Sequence, residues 1–183
     1  DYFLIWGKYW KKIYNLPSKF IVTGTYYHTK KFNHLDKILF ISNKSNYLQL
    51  SSISKDIAKA LPRRKLLFKL HPEQFFDFNE IKNNFKAYSN IDVINDQITN
   101  KNLLKNSSDF VTVRSSYIYQ AIQSGCKGHI LMQDNFDWDQ KILKVTDQFS
   151  SSSELLKNLN QKKNKTNLIF YEKLCIKSLL NYI

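Results

Sequence analysis

Short apolar runs alternate with helical segments along most of this chain, and this alternation restricts the possible folds more than any other feature. From residue 37 onward, five such runs are nearly free of polar residues: Ile38–Ile41, Leu66–Leu70, Ile91–Ile94, Phe110–Val113 and His129–Met132. Strands of a parallel sheet show this pattern because crossover helices bury both faces. The sequence therefore predicts an α/β domain with a doubly wound, Rossmann-like parallel sheet of five strands.

Helices are predicted between these strands, at residues 47–61, 79–88, 102–105 and 117–123. Pro62 closes the first helix, and Asp77 and Glu80 stand at capping-box spacing around the start of the second. Gly125 is the expected stop of the fourth helix, since glycine readily adopts the left-handed conformation. Two more helices, at 154–159 after the polar turn Ser150–Ser153 and at 167–182, are expected to pack on the flank of the sheet.

The first 36 residues are predicted to form a unit of their own. A strand at 1–6, a short helix at 7–15 and a strand at 20–23 make one β-α-β step, and the polar, irregular stretch 25–36 is typical of a connection. The chain opens on Asp1 with no signal-peptide pattern, so we expect it to begin inside a longer protein. The predicted boundary lies between residues 36 and 37.

Composition and charge exclude several classes of protein. With 43% apolar and 23% charged residues, the chain is typical of a globular domain. Cys126 and Cys175 are too few for a disulfide scaffold or a zinc site, which favours a reducing, cytoplasmic environment. No apolar run approaches the ~20 residues of a membrane span.

The net charge of +13 is spread along the chain, and only three of its 28 basic residues are arginines. Base readout usually uses the bidentate guanidinium group, so nucleic-acid binding is not expected. Lysines together with Trp6, Tyr9 and Trp10 would suit peripheral contact with an anionic inner membrane. A solvated lysine-rich surface is the favoured alternative.

Two strand ends carry unusual residues. Ligands of open parallel sheets bind beyond the carboxyl ends of the strands. There, His71 precedes Pro72, and Arg114 precedes Ser115 and Ser116 at the start of a helix. Each pattern alone is also typical of an ordinary turn or helix cap. Together they predict an anion site, because hydroxyls, backbone amides and the positive end of a helix suit a phosphate.

These residues resemble a family. Lys69-Leu70-His71-Pro72 resembles the HP motif of bacterial GT-B glycosyltransferases that make capsules and other surface glycans. Asp109–Val113 followed by Ser115-Ser116, with Ala121 and Gly125 beyond, resembles the SS motif and its helix. Polysialyltransferase-like and Kdo-transferase-like enzymes are the most similar types. Trp6-Gly7 and Val22-Thr23-Gly24 resemble the end of the N-terminal domain, so residues 1–36 would be its tail and linker, and 37–183 the donor-binding domain.

The resemblance implies a site and a reaction. The donor would be a CMP-linked sugar of the sialic acid or Kdo type, and the acceptor a glycan or glycolipid. His71 would be catalytic, as donor to the leaving phosphate, and Pro72, Ser115, Ser116 and Arg114 would complete the phosphate site. Gln120, where many relatives have Glu, and Glu73 would contact the ribose or base. The acidic catalytic base of the family belongs to the N-terminal domain, so this chain is expected to be inactive alone.

Several alternatives stay open. A sugar-nucleotide epimerase of GT-B architecture would prefer UDP, and a noncatalytic module of a capsule assembly complex would bind nucleotide without using His71. Asp134, Asp137 and Asp139 invite a metal hypothesis, but no metal is expected, because a helix terminus and a histidine can hold a nucleotide without one. His129 and Cys126 are predicted to be structural, and alternation places Lys69 away from the site.

Overall fold

A computed structural model of the chain describes residues 2–12, 19–22, 35–133, 138–161 and 170. The strands are β1 Tyr2–Ile5, β2 Lys19–Val22, β3 Lys37–Ile41, β4 Lys65–Lys69, β5 Ile91–Ile94, β6 Asp109–Thr112, β7 Lys127–Leu131 and β8 Thr146–Phe149. The helices are α1 Lys8–Lys11, α2 Tyr47–Ala60, α3 Phe78–Asn84, α4 Asn100–Lys105, α5 Tyr117–Ser124, α6 Gln140–Leu143 and α7 Ser152–Leu159, with a 3₁₀ turn at Pro72–Gln74.

Strands β3 to β8 form a six-stranded sheet in the order β5-β4-β3-β6-β7-β8. Every neighbouring pair is parallel. The chain runs outward from β3 to β5 and then crosses to β6, so β3 and β6 flank the point where the strand order reverses. This arrangement confirms the predicted doubly wound, Rossmann-like α/β fold, and places the expected ligand crevice outside the carboxyl ends of β3 and β6.

Alternate residues of the central strands enter two separate cores. Ile38 and Phe40 of β3 pack with α2, α3 and α7 on one face. Leu39, between them, packs with α1, α4 and α5 on the other face. Since both faces of the strands are covered, their sequences are continuously apolar.

The amino-terminal segment packs against the face of the six-stranded sheet that contains Leu39. β1 and β2 form a separate two-stranded parallel sheet. Tyr9 and Trp10 of α1 are each 8% exposed. Tyr9 contacts the rings of Tyr119 and Phe170, and Trp10 contacts the ring of Tyr119. These two aromatics are therefore unavailable for the membrane contact considered from the sequence; Trp6 remains exposed. The predicted domain boundary stays a prediction.

Local differences from the sequence predictions have simple causes. Gly125 ends α5 with φ 101°, as predicted. Asp77 occupies the position before α3 but its side chain makes no capping hydrogen bond, so the predicted capping box is wrong. β8 and α6 were not predicted from the sequence, and β8 makes the sheet six-stranded rather than five-stranded. The predicted helices reaching residue 15 and spanning 167–182 lie at least partly outside the described residues.

Polar residues at the amino ends of the strands are buried in pairs. His129 is fully buried and Asp109 accepts a 2.8 Å hydrogen bond from its Nε2. The thiol of Cys126 lies 3.2 Å from the carbonyl oxygen of Ser107. Both contacts support the structural roles predicted for His129 and Cys126.

Candidate functional site

A cavity of about 490 Å³ lies at the carboxyl edge of the sheet, at the point where the strand order reverses. Its walls come from the ends of β3, β4 and β6, the segment after β5, and the first turns of α4 and α5. The lining residues are Ile41, Ser42, Lys69, Leu70, His71, Pro72, Phe75, Asp96, Ile98, Thr99, Asn100, Ser115, Ser116, Tyr117 and Gln120.

The structure brings most of the sequence-predicted site residues to this cavity. His71, Pro72, Ser115, Ser116 and Gln120 all line it. Glu73 and Arg114 are exposed and lie outside that lining. The expected neighbourhood of the imidazole and the two hydroxyls is therefore present, whereas the binding role of each residue stays a prediction.

The His71 imidazole is held at the start of the 3₁₀ turn that Pro72 begins. The backbone N–H of Glu73 donates to His71 Nδ1 at 3.4 Å. In the neutral tautomer whose Nδ1 accepts this bond, the ring proton is on Nε2. The Glu73 carboxylate lies 3.6 Å from the same Nδ1, and the His71 side chain is 46% exposed. In that tautomer the imidazole presents an Nε2–H donor to a ligand.

The two serines have different local roles. Ser115 Oγ accepts a 3.3 Å hydrogen bond from the backbone N–H of Tyr117, in the first turn of α5. Ser116 occupies the N-cap position, but its hydroxyl makes no capping bond. The hydroxyl of Ser116 therefore lies at the positive end of the helix dipole without being needed to cap the helix.

Lys69 belongs to the cavity lining, which corrects the prediction that it faces away. Its Nζ donates a hydrogen bond to the carbonyl oxygen of Asn95 and lies 5.2 Å from the centre of the Phe75 ring. Burial lowers the pKa of Lys69, and the Asp96 carboxylate partly offsets this effect. The error arose because Lys69 is the last residue of β4, where a long side chain can reach the sheet edge from either face.

The segment after β5 was also missed. Asp96, Ile98, Thr99 and Asn100 line the cavity. Tyr117 Oη donates to the carbonyl oxygen of Asn100, which ties this segment to α5. The rule that singled out His71, that residues just after a strand face the ligand, also applies to the residues after Ile94.

A larger cavity of about 680 Å³ lies at the opposite, amino edge of the sheet. Two of the three cations that line it, Arg64 and Lys127, are already paired. Arg64 binds Asp36 at 2.7 Å and also Asp109, and Lys127 lies 2.9 Å from Asp147. Because these charges are neutralised locally, the smaller cavity at the carboxyl edge is the better candidate for an anionic ligand.

The metal hypothesis concerns three aspartates, of which only Asp139 has a described position. The described residues contain no group of three or more His, Cys, Asp or Glu side chains arranged to hold a metal ion. Asp139 caps α6 through a 2.8 Å hydrogen bond from the N–H of Lys141, while Asp134 and Asp137 lie outside the described residues.

In the described ranges, each helix is too short or too polar to cross a bilayer.

Known structures share this fold. The chain matches UDP-GlcNAc 2-epimerase of Methanocaldococcus jannaschii, solved with UDP-GlcNAc and UDP, with a TM-score of 0.57 and 17% identity over 90% of this chain and 55% of that one. It matches TarM with a TM-score of 0.55 and 12% identity over 86% of this chain and 36% of that one. A complex of an S. aureus TarM mutant that contains UDP matches with the same TM-score at 10% identity.

These matches concern the fold alone, because their identities are low. No model of a known protein family matches the chain, and no curated protein matches it. The chain spans less than two thirds of the length of the similar structures. The chain therefore has a Rossmann-like fold similar to one half of the GT-B fold.

Proposed function

We propose that the domain binds the nucleotide of an activated sugar in the carboxyl-edge cavity and serves in glycosyl transfer during bacterial surface polysaccharide synthesis. One observation carries this proposal: His71 and the pair Ser115-Ser116, distant in the chain, line the same cavity at the reversal of strand order. The glycan or glycolipid acceptor and the catalytic base would come from outside this domain. The low cysteine content supports a cytoplasmic setting.

The chemistry of glycosyl transfer suits this arrangement. Negative charge grows on the leaving phosphate, so donors directed at that phosphate lower the barrier. His71 would donate from Nε2, and the Ser116 hydroxyl and the amino end of α5 would hold the phosphate oxygens. Lys69 would add a positive charge at the wall of the cavity that carries His71. Gln120 would hydrogen-bond a ribose hydroxyl.

The identity of the nucleotide is open to a direct test. The resemblance of the HP and SS motifs favours a CMP-linked sugar of the sialic acid or Kdo type. The structures of similar fold contain UDP. We expect the chain to bind CMP more tightly than UDP in isothermal titration with CMP, CDP and UDP. Absence of binding by all three would refute the proposal.

Two variants localise the binding. His71→Ala and Ser116→Ala should each weaken nucleotide binding about tenfold, since hydrogen bonds to a charged group contribute about 1.5–3 kcal/mol. Ser153→Ala is the matched control, because Ser153 is also an exposed serine in the first turn of a helix, α7. If neither His71→Ala nor Ser116→Ala changed the affinity for nucleotide, the noncatalytic module would be favoured.

An epimerase is the second candidate. The fold similarity to UDP-GlcNAc 2-epimerase motivates it, and the cavity also contains an acid and an imidazole, Asp96 and His71. An epimerase needs such groups to remove and return a proton. A strong preference for UDP over CMP in the titration would favour this candidate over the transferase.

A further inference from the structure

Gln74 is a buried polar residue directly behind the candidate cavity. It ends the 3₁₀ turn that follows His71, and it is only 4% exposed. Burying an amide group is costly unless it forms hydrogen bonds. The position therefore needs an explanation beyond an ordinary surface turn.

The carboxamide oxygen of Gln74 joins two chain segments. Gln74 Oε1 accepts a 3.1 Å hydrogen bond from the backbone N–H of His71. The same oxygen accepts a 2.9 Å hydrogen bond from the hydroxyl of Ser42. Ser42 is 2% exposed, and its own N–H donates to the carbonyl oxygen of Lys69 at 3.1 Å. Gln74 thus links the turn that carries His71 to the end of β3.

This link determines where the imidazole stands relative to the serines. β3 is the strand that pairs with β6, and Ile41, next to Ser42, lies opposite Thr112 in that pairing. The end of β6 leads to Ser115 and Ser116. Fixing the His71 backbone to Ser42 therefore fixes it indirectly to the opposite wall of the cavity. The side chain of His71 completes the arrangement, since its Nδ1 accepts the Glu73 N–H in the same turn.

We infer that Gln74 is a positioning residue, which holds the His71 imidazole at the phosphate end of the cavity through the hydrogen bonds to His71 N–H and Ser42 Oγ. This inference rests on the proposed nucleotide binding at the same site. Gln74 itself is outside the cavity lining, so it acts through His71 and does not touch the ligand. Small errors in the placement of such groups cost much of their benefit.

A double-mutant cycle separates positioning from a general effect on folding. The affinity for CMP is measured in the full chain for wild type, Gln74→Leu, His71→Ala and the double variant. Leucine keeps much of the volume but cannot accept either hydrogen bond. We expect Gln74→Leu to weaken binding about fivefold to tenfold in the wild-type background, and less than twofold when the imidazole has already been removed.

A milder variant covers the case in which Gln74→Leu does not fold. Ser42→Ala removes one of the two donors to Gln74 and leaves the His71 N–H in place, so it should weaken CMP binding in the wild-type background and much less with His71→Ala. Circular dichroism melting confirms which variants are folded.

The outcomes distinguish this inference from the function on which it rests. Equal losses with and without His71, or a weakening by His71→Ala with no effect of Gln74→Leu, would overturn the positioning role and leave nucleotide binding intact. If the wild-type chain bound no nucleotide, the proposed function would fail and the positioning role with it.

Discussion

The Nε2 atom of His129 lies 2.8 Å from Asp109 Oδ1 at the amino edge of the sheet, and the imidazole is fully buried. Arg64 binds the other carboxylate oxygen of Asp109. On the far side of the imidazole, Asp147 lies 3.5 Å from Nδ1 and is paired with Lys127. This network is at the opposite edge from the candidate cavity, so we expect it to affect the stability of the fold rather than nucleotide binding.

Asp109→Asn should destabilise the domain by about 3 kcal/mol at neutral pH, because removing one partner leaves buried charges without compensation. Urea denaturation would measure the loss. Asp92→Asn is the control: Asp92 forms a 2.9 Å surface pair with Lys65, and its loss should cost less than about 1 kcal/mol.

The loss of stability caused by Asp109→Asn is expected to depend on pH. Burial raises the pKa of Asp109, but the hydrogen bond from His129 and the charges of His129 and Arg64 outweigh burial and hold it below its usual value. The contribution of Asp109 is therefore fully present above its unfolded-state pKa of about 4 and is lost as the pH falls through the lower folded-state pKa. The stability difference between wild type and Asp109→Asn should shrink below about pH 4. A constant difference between pH 7 and pH 3 would contradict this account.

Gly128 is restricted by a close neighbour across the β7–β8 pair. A Cβ atom at this position would lie 2.8 Å from Cγ2 of Thr146. Gly128→Ala should therefore lower the free energy of unfolding by about 1–3 kcal/mol, as expected for overpacking. Adding Thr146→Ser removes that methyl group but keeps the hydroxyl that donates to the Ile142 carbonyl at 2.8 Å. Failure of Thr146→Ser to recover part of the stability would show that the clash is not the cause.

Lys69→Met should weaken nucleotide binding about tenfold, because it removes a cation from the cavity wall while keeping a long side chain over the Phe75 ring. The loss should be smaller at high salt, where the wild-type interaction is screened. Lys82→Met is the control, since Lys82 also lies over an aromatic ring, that of Phe78, but away from the cavity lining. Equal affinities of Lys69→Met and wild type would exclude Lys69 from the site.

The core of the fold could be predicted from sequence, because strands buried on both faces have unmistakably apolar sequences. β8 was missed for the corresponding reason. It is an edge strand, Thr146–Phe149, in which Asp147 is partly buried and Gln148 is exposed, so no apolar run marks it. The short helix α6 has a single buried residue, Ile142, and carries too little periodicity to recognise.

The candidate site was partly predictable for a different reason. His71 lies two residues after β4 and Ser116 four residues after β6. The strand-end rule that found them needs no knowledge of side-chain direction. Lys69 was missed because alternation along a strand gives the face of a residue but not the reach of a long side chain. Gln74 could not be found from its spacing alone, because its importance lies in a contact with Ser42, which is distant in sequence.

Amide chemical-shift mapping with CMP tests the central claim most directly. In ¹H–¹⁵N spectra of the labelled chain, we predict that CMP shifts the backbone signals of Ser115, Ser116 and Tyr117 together with that of His71. These residues border the carboxyl-edge cavity. Shifts confined to the amino-edge cavity, at Arg63, Arg64 and Ser108, would contradict the account.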